Sequence, residues 1–262
     1  MKQKPKFALY KFTSCSGCQQ SLLNAEAALM DILTETEIAH FLEIKSTSID
    51  GPYDLVFVEG SASTPAEIDS LKNLREQAKV LVPIGACAVY GGPQALRNWL
   101  ELADLKKASY QWPEWIDGLE WTGGVDTYIP VDYKIYGCGP NPDQLVEVVI
   151  SYLQGRQPSL PQYSVCVDCK LKGNICLLVT GHNCLGPITA SGCGAACPSR
   201  RRGCYGCFGP MSAPNVMALA KTFELLGNTA EDLVRIFRNQ NSNSEAFREG
   251  AFAYARKRRV AA

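Results

Sequence analysis

The chain has 262 residues, 46% of them hydrophobic, and its 26 Lys and Arg balance 26 Asp and Glu. That length accommodates one large domain or two modest ones with a real core, and the charge balance excludes a chain built as a whole to hold nucleic acid or an anionic membrane surface. Twelve cysteines are the anomaly. No uninterrupted apolar segment of about 18 residues exists to span a bilayer, and the start, MKQKPKFALYKF, has neither a signal-peptide core nor a twin-arginine pair. The chain is therefore expected in the cytoplasm, where so many thiols serve as metal ligands or catalytic groups rather than as structural disulfides.

From residue 6 to about 153, short apolar runs alternate with helix-like segments, the pattern of a parallel sheet covered by helices. The expected strands are Lys6–Phe12, Ile38–Ile44, Asp54–Glu59, Val80–Gly85 and a weaker one ending near Tyr136. The expected helices are Gln19–Leu33, Pro65–Gln77, Pro93–Leu102 and Pro142–Leu153, with first-turn prolines and with Ser61 to Thr64 and Asn141 as candidate caps. The polar, proline-bearing stretch Gln154–Gln162 makes the best boundary, dividing the chain into residues 1–155 and 156–262. Beyond it, residues 163–210 hold eight of the twelve cysteines and almost no sustained periodicity, so a bound group must organise them. Helical pattern returns over Ala213–Gly227, Thr229–Asn239 and Ser244–Arg259, and the closing ARKRR reads as an exposed helix end.

Cys15 and Cys18 follow the first strand, Cys87 the fourth and Cys138 the last, all at carboxyl ends, which share one edge in a doubly wound sheet. A thioredoxin-like pair would use Cys15 and Cys18 but leave Cys87 and Cys138 idle. Structural zinc takes ligands from compact knuckles, whereas these are spread over separate strand ends. A four-thiolate iron–sulfur cluster fits best, because soft thiolates suit iron and the neighbouring glycines free backbone N–H groups for the sulfides.

Downstream, Cys166-x2-Cys169-x6-Cys176 is mirrored by Cys197-x6-Cys204-x2-Cys207, with Cys184 and Cys193 between. Eight thiols make two four-ligand sites, and two zinc ribbons are the alternative to two clusters. Three complete sets leave no thiol for nucleophilic catalysis. His182 is expected at the surface or behind a ligand, His40 in a structural role, and Arg200–Arg202 either as a solvated loop or as a dock for an acidic electron carrier. No G-x-G-x-x-G follows a strand, so flavin and NAD(P) belong elsewhere.

The motifs TSCSGCQQ, DLVFVEGSASTPAEI, PIGACAVYGGPQALRN, YGCGPNPDQL and CLGPITASGCGAACPSRRRGCYGCFGP stand in family order over most of the chain. Together they resemble the small, electron-transfer subunit of cytosolic nickel–iron hydrogenases of the sulfhydrogenase or NAD(P)-linked delta type. The resemblance implies a flavodoxin-like domain followed by an irregular cluster-binding domain with C-terminal helices. Cys15, Cys18, Cys87 and Cys138 would hold a proximal 4Fe-4S cluster facing a large subunit that carries the nickel–iron site. Cys166, Cys169, Cys176 and Cys184 would hold a distal cluster, with Cys166 where periplasmic relatives place histidine. Cys193, Cys197, Cys204 and Cys207 would hold a medial one, although the mirrored spacing also permits a nested exchange of ligands. Where the family often reads Gly-Cys-Pro, this chain has Gly137-Cys138-Gly139-Pro140. The implied partners are the large subunit and flavin- and iron–sulfur-containing diaphorase subunits carrying FAD and NAD(P), with no nucleic acid and no membrane. A deazaflavin-reducing or heterodisulfide-reductase-linked partner is the alternative, and a zinc-stabilised interaction module is the alternative of another class.

Overall fold

The computed structural model describes residues 4–260, with side chains to residue 255, so the basic run at the end of the last helix lies outside the described side chains. The chain divides into two compact units, Met1–Leu160 and Pro161–Ala262, and the break falls inside the polar Gln154–Gln162 stretch. Among the described residues no helix is long and apolar enough to cross a membrane.

The first unit is built on four parallel strands, β1 (Lys6–Lys11), β2 (Glu37–His40), β3 (Tyr53–Glu59) and β4 (Ala78–Ile84), ordered β2-β1-β3-β4. The fifth strand expected near Tyr136 is reduced to one parallel bridge, Ile84 to Ile135, which continues the flavodoxin-like order by a single rung. Both faces of the sheet are buried, as all-parallel pairing requires. On one face Phe7, Leu9, Leu55, Phe57, Val82 and Ile84 pack under α1 (Gly17–Leu23), α2 (Ala27–Glu35) and α6 (Pro142–Gln154). On the other, Ala8, Val56, Val58 and Leu81 pack against α3 (Pro65–Gln77) and Val125. Strand residues alternate between the two sets, as the period of two dictates.

Two helix expectations are corrected. The segment Gln19–Leu33 is not one helix but α1 and α2, broken where Asn24 caps the first and Glu26 takes φ of 46°. The segment Pro93–Leu102 is a 3-10 helix, Gly92–Trp99, followed by α5 (Leu102–Ser109). A short helix that periodicity did not reveal, α4 (Gly85–Tyr90), carries Cys87.

The capping of α3 reaches further than its own helix. Thr64 and Glu67 form a capping box, and the other oxygen of the same carboxylate, Oε1, accepts a hydrogen bond from Thr13 Oγ1 at 2.9 Å. The helix start is thereby fastened to the loop that leads into Cys15.

The second unit has α7 (Val165–Leu171) at its start and α8 (Val216–Leu225), α9 (Ala230–Phe237) and α10 (Glu245–Val260) at its end. Phe223, Leu233, Phe237, Phe247 and Tyr254 bury the inner faces of the last three. Between them residues 172–215 run as turns with short 3-10 pieces.

Candidate metal centres

In the first unit the four expected thiols come from three chain segments at the carboxyl edge of the sheet. Cys18 sits in the first turn of α1, and its N–H donates to Glu59 Oε1 at 3.0 Å, which ties it to the end of β3. Cys87 sits in α4 directly after β4. The loop bearing Cys138 is pinned to α4 by Gly85 N–H to Ile135 O and Ala86 N–H to Gly137 O, both 2.8 Å. Gly139 lets that loop lie on α1, since a Cβ there would stand 2.8 Å from Ser21 Oγ.

The sulfurs gather. Burial pushes the Cys18 thiol far up, helped by the charges of Glu59, Cys87 and Cys138. Burial likewise raises Cys87 to about 12, with Cys138, Cys15 and Glu59 adding to it. Cys15 and Cys138 are exposed and close the outer side. Glycines clear the space: a Cβ on Gly85 would fall 2.2 Å from Cys18 Sγ, and one on Gly92 would fall 2.6 Å from Cys87 Sγ.

The sequence reading passed over two residues here. Glu59 is fully buried beside Cys18, and its Oε2 has no hydrogen-bond partner among the described residues. It ends the apolar run DLVFV and is followed by Gly60 at φ of 93°. Gln94 donates from Nε2 to Thr13 O at 3.1 Å and also meets the Cys87 thiol.

In the second unit α7 places Cys166 and Cys169 three residues apart, on one helix face. They line one pocket with Cys176 and Cys184. Burial raises the Cys166 thiol, followed by the charges of Cys184, Cys169 and Cys176, so the other three thiols of this pocket all reach Cys166. Gly186 serves as their glycine cradle: its missing Cβ would stand 3.3 Å from Cys184 Sγ and 3.5 Å from Cys166 Sγ. Asn174 Nδ2 donates to Cys169 Sγ at 3.6 Å.

Of the remaining four, Cys204 is buried and feels the charge of Cys184 first and of Cys207 second. Its sulfur accepts from Gly206 N–H at 3.4 Å, while its own N–H donates to Cys184 Sγ at 3.3 Å. Burial raises its thiol to about 12. Cys193 and Cys197 lie half-buried on the turns before Pro198–Arg200. His182 is exposed and pairs with Thr180, and His40 stacks on Tyr10 at 3.9 Å, so the structure gives neither a place among the thiols.

Among the described residues no three His, Cys, Asp or Glu draw together as ligands of one metal ion do. The donor set is nonetheless all thiol, burial favours the protonated form of Cys18, Cys87 and Cys204 until a cation compensates their charge, and glycines hold room between sulfurs. These features fit an iron–sulfur cluster. They also set the pH response of the cluster-free protein. Cys87 and Cys204 go from 9.0 up to about 12, so between these values the folded state binds more protons than the unfolded one. Stability is expected to fall with rising pH across that window, by about 1.4 kcal/mol per pH unit for each such thiol, and these two thiols add no pH dependence below it. Chemical denaturation of the cluster-free chain between neutral and strongly alkaline pH reads the slope directly.

Residues 15–152 match the family described as NADH ubiquinone oxidoreductase, 20 Kd subunit. The sulfhydrogenase 2 subunit delta of Pyrococcus furiosus is 33% identical, over 87% of this chain and 94% of its own. An F420-non-reducing hydrogenase vhu subunit of Methanococcus voltae is 31% identical, over 88% and 91%. The NAD-reducing hydrogenase HoxS subunit delta of Cupriavidus necator is 28% identical, over 60% and 83%. In fold, the chain is similar to a chain of an actinobacterial-type NiFe-hydrogenase from Ralstonia eutropha, with a TM-score of 0.58 at 15% identity over 86% of this chain and 92% of that one. The family match over more than half its length and the first two relatives over most of it place this chain in the family of the 20 Kd subunit of NADH ubiquinone oxidoreductase, among its hydrogenase subunits.

Proposed function

We propose that this chain is the electron-transfer subunit of a multi-subunit, cytoplasmic nickel–iron hydrogenase. In this reading it relays electrons between the nickel–iron site of a separate large subunit and a flavin- and iron–sulfur-containing NAD(P) reductase module, through three 4Fe-4S clusters. The observation that supports it is the gathering of thiols around a glycine cradle in each unit, Gly85 in the first and Gly186 in the second. Cys15, Cys18, Cys87 and Cys138 would hold the proximal cluster, Cys193, Cys197, Cys204 and Cys207 the medial one, and Cys166, Cys169, Cys176 and Cys184 the distal one.

A bound 4Fe-4S cluster supplies one-electron uptake and release. The protein's own contribution is ligation, burial and hydrogen bonding. The N–H groups of Cys204 and Gly206 donate to cysteine sulfurs and stabilise negative charge on them, which favours the reduced state. The bond from Cys204 N–H to Cys184 Sγ also joins residues assigned to different clusters, a short bonded path between them. No residue is assigned to acid–base chemistry, and NAD(P) and FAD would reside on partner chains.

A second reading changes only the acceptor. That acceptor is a heterodisulfide-reductase-linked partner; the relative from Methanococcus voltae, named as an F420-non-reducing hydrogenase subunit, matches more of this chain than the NAD-reducing relative does, 88% against 60%, which supports an acceptor other than NAD(P).

Iron and acid-labile sulfide per chain in anaerobically purified protein test the proposal, with electron paramagnetic resonance after dithionite reduction. About twelve of each, with spectra of interacting reduced clusters, is the expected result. Stoichiometric zinc with negligible iron would make this a zinc-stabilised module and overturn the relay. Hydrogen-dependent reduction of NAD+ or NADP+ by the purified complex separates the two acceptors.

A further inference from the structure

The connection between α9 and α10 is polar and yet buried. Asn241, Ser242 and Ser244 are 1%, 0% and 2% exposed, whereas the other buried side chains beyond residue 215, among the described residues, are apolar or aromatic. A buried amide is costly unless its hydrogen-bonding groups find partners. Asn241 finds one far along the chain: its Nδ2 donates to Gly206 O at 2.8 Å, while its Oδ1 has no hydrogen-bond partner among the described residues. The orientation is fixed, because a flipped amide would set oxygen against oxygen.

The backbone of Asn241 is held on both sides. Its N–H donates to Asn239 Oδ1 at 2.8 Å, and its carbonyl accepts from Ser244 N–H at 2.9 Å. At the other end of the bond, Gly206 lies inside Cys204-Tyr205-Gly206-Cys207 at φ of 77°, and its N–H donates to Cys204 Sγ at 3.4 Å. The Gly206 carbonyl has a second donor, Gly209 N–H at 2.9 Å, but that bond closes a local turn and moves with it. Packing holds this side of the turn loosely: Tyr205 is 59% exposed and, with Cys184, Cys204 and Asn239, lines a cavity of about 340 Å³. The bond from Asn241 spans 35 residues and ties the ligand turn to the helices.

We propose that Asn241 is a positioning residue for the cluster that takes Cys204: by fixing the Gly206 peptide it keeps the Gly206 N–H on Cys204 Sγ and so raises that cluster's potential. The proposal rests on the electron-relay reading above. An N–H aimed at a ligand sulfur stabilises the negative charge that one added electron brings, with no bond made or broken in the step.

The test is a mediated redox titration of this chain in complex with its hydrogenase large subunit, followed by electron paramagnetic resonance, with iron content and circular dichroism alongside. Cys204→Ala identifies the signal to follow, as the one it abolishes. Asn241→Leu keeps the volume and removes the donor. In it the ratio of reduced to oxidised cluster at a fixed potential is expected to fall about tenfold, a downward shift of about 59 mV for a one-electron couple, with the other two clusters and the iron content unchanged. Asn241→Asp keeps the shape, sets an oxygen toward the Gly206 carbonyl, and is expected to shift the potential the same way. Ser244→Ala removes a buried hydroxyl of the same connection, one without a hydrogen-bond partner among the described residues, and is expected to leave all three potentials alone.

If one Asn241 variant loses iron, the other decides. A purely structural role would lower the melting temperature of the Asn241 variants and leave the potential where it was, which overturns the proposal. An equal shift in Ser244→Ala does so as well, since the amide is then not the cause. Loss of the cluster from both Asn241 variants, with or without loss of helicity, assigns the residue to retaining the cluster rather than to setting its potential, and also overturns the proposal. Fewer than three titrating clusters in the unaltered complex would overturn the relay reading itself, whatever the variants do.

Discussion

Gly85→Ala is expected to strip the first unit of its cluster while sparing the second. The glycine joins β4 to α4 at φ of 82°, a region that costs an alanine on the order of 1 kcal/mol, and its new Cβ would lie 2.2 Å from Cys18 Sγ. Cys18 has nowhere to retreat: it is buried in the core cluster under the sheet and its N–H is held by Glu59. On the other side the Gly137 carbonyl stands 3.3 Å from the same Cβ. Iron is therefore expected to drop by about a third, from about twelve to about eight per chain, with hydrogen-dependent dye reduction down by about a hundredfold or more. Gly118→Ala is the matched control, since the nearest atom to its Cβ would be 3.8 Å away, and it should change neither quantity. Full iron content in Gly85→Ala would mean that the cluster does not sit between Cys18 and Cys87.

The second large effect concerns how the last eight cysteines are shared. If Cys166 and Cys184 hold one cluster, removing both costs no more iron than removing one, because a cluster with two ligands gone is as lost as a cluster with one gone. Cys166→Ala/Cys184→Ala should then retain about eight irons, whereas Cys184→Ala/Cys204→Ala, which takes one ligand from each set, should retain about four. A nested exchange of ligands in the manner of two-cluster ferredoxins would reverse this, with about four irons left in the first variant. The pocket shared by Cys166, Cys169, Cys176 and Cys184 favours the first outcome. Iron analysis beside circular dichroism of the helical region separates loss of a cluster from loss of the unit.

The sheet was legible because its strands are continuous apolar runs bounded by turn residues, and Pro65–Gln77 was legible to the residue because Thr64, Pro65 and Glu67 announce its start. The break between α1 and α2 was hidden: apolar periodicity runs straight through Asn24–Glu26, and only the backbone angle at Glu26 reveals the turn. Helix α4 escaped for the opposite reason, since six residues rich in alanine and glycine carry no amphipathic signal. In the second unit α7 is seven residues long and its cysteines mask whatever period it has. The site was legible as a set of thiols at strand ends, because a parallel sheet sends every carboxyl end to one edge. Glu59 was not, because nothing in a linear pattern distinguishes a buried carboxylate from a solvated one at the end of a strand.

Glu67 ties several of these features together. Its two oxygens bind the N–H groups of Ser63 and Thr64 on one side and the Thr13 hydroxyl on the other. A thermal fluctuation that unwinds the first turn of α3 therefore releases the approach to Cys15 in the same event, and a bound cluster that immobilises Cys15 holds that turn closed. Local opening at this edge of the sheet is one cooperative event shared by a helix and a thiol loop 50 residues apart in sequence, Cys15 to Pro65. Amide exchange in the first turn of α3 would then report on the occupancy of a site that the helix itself never touches.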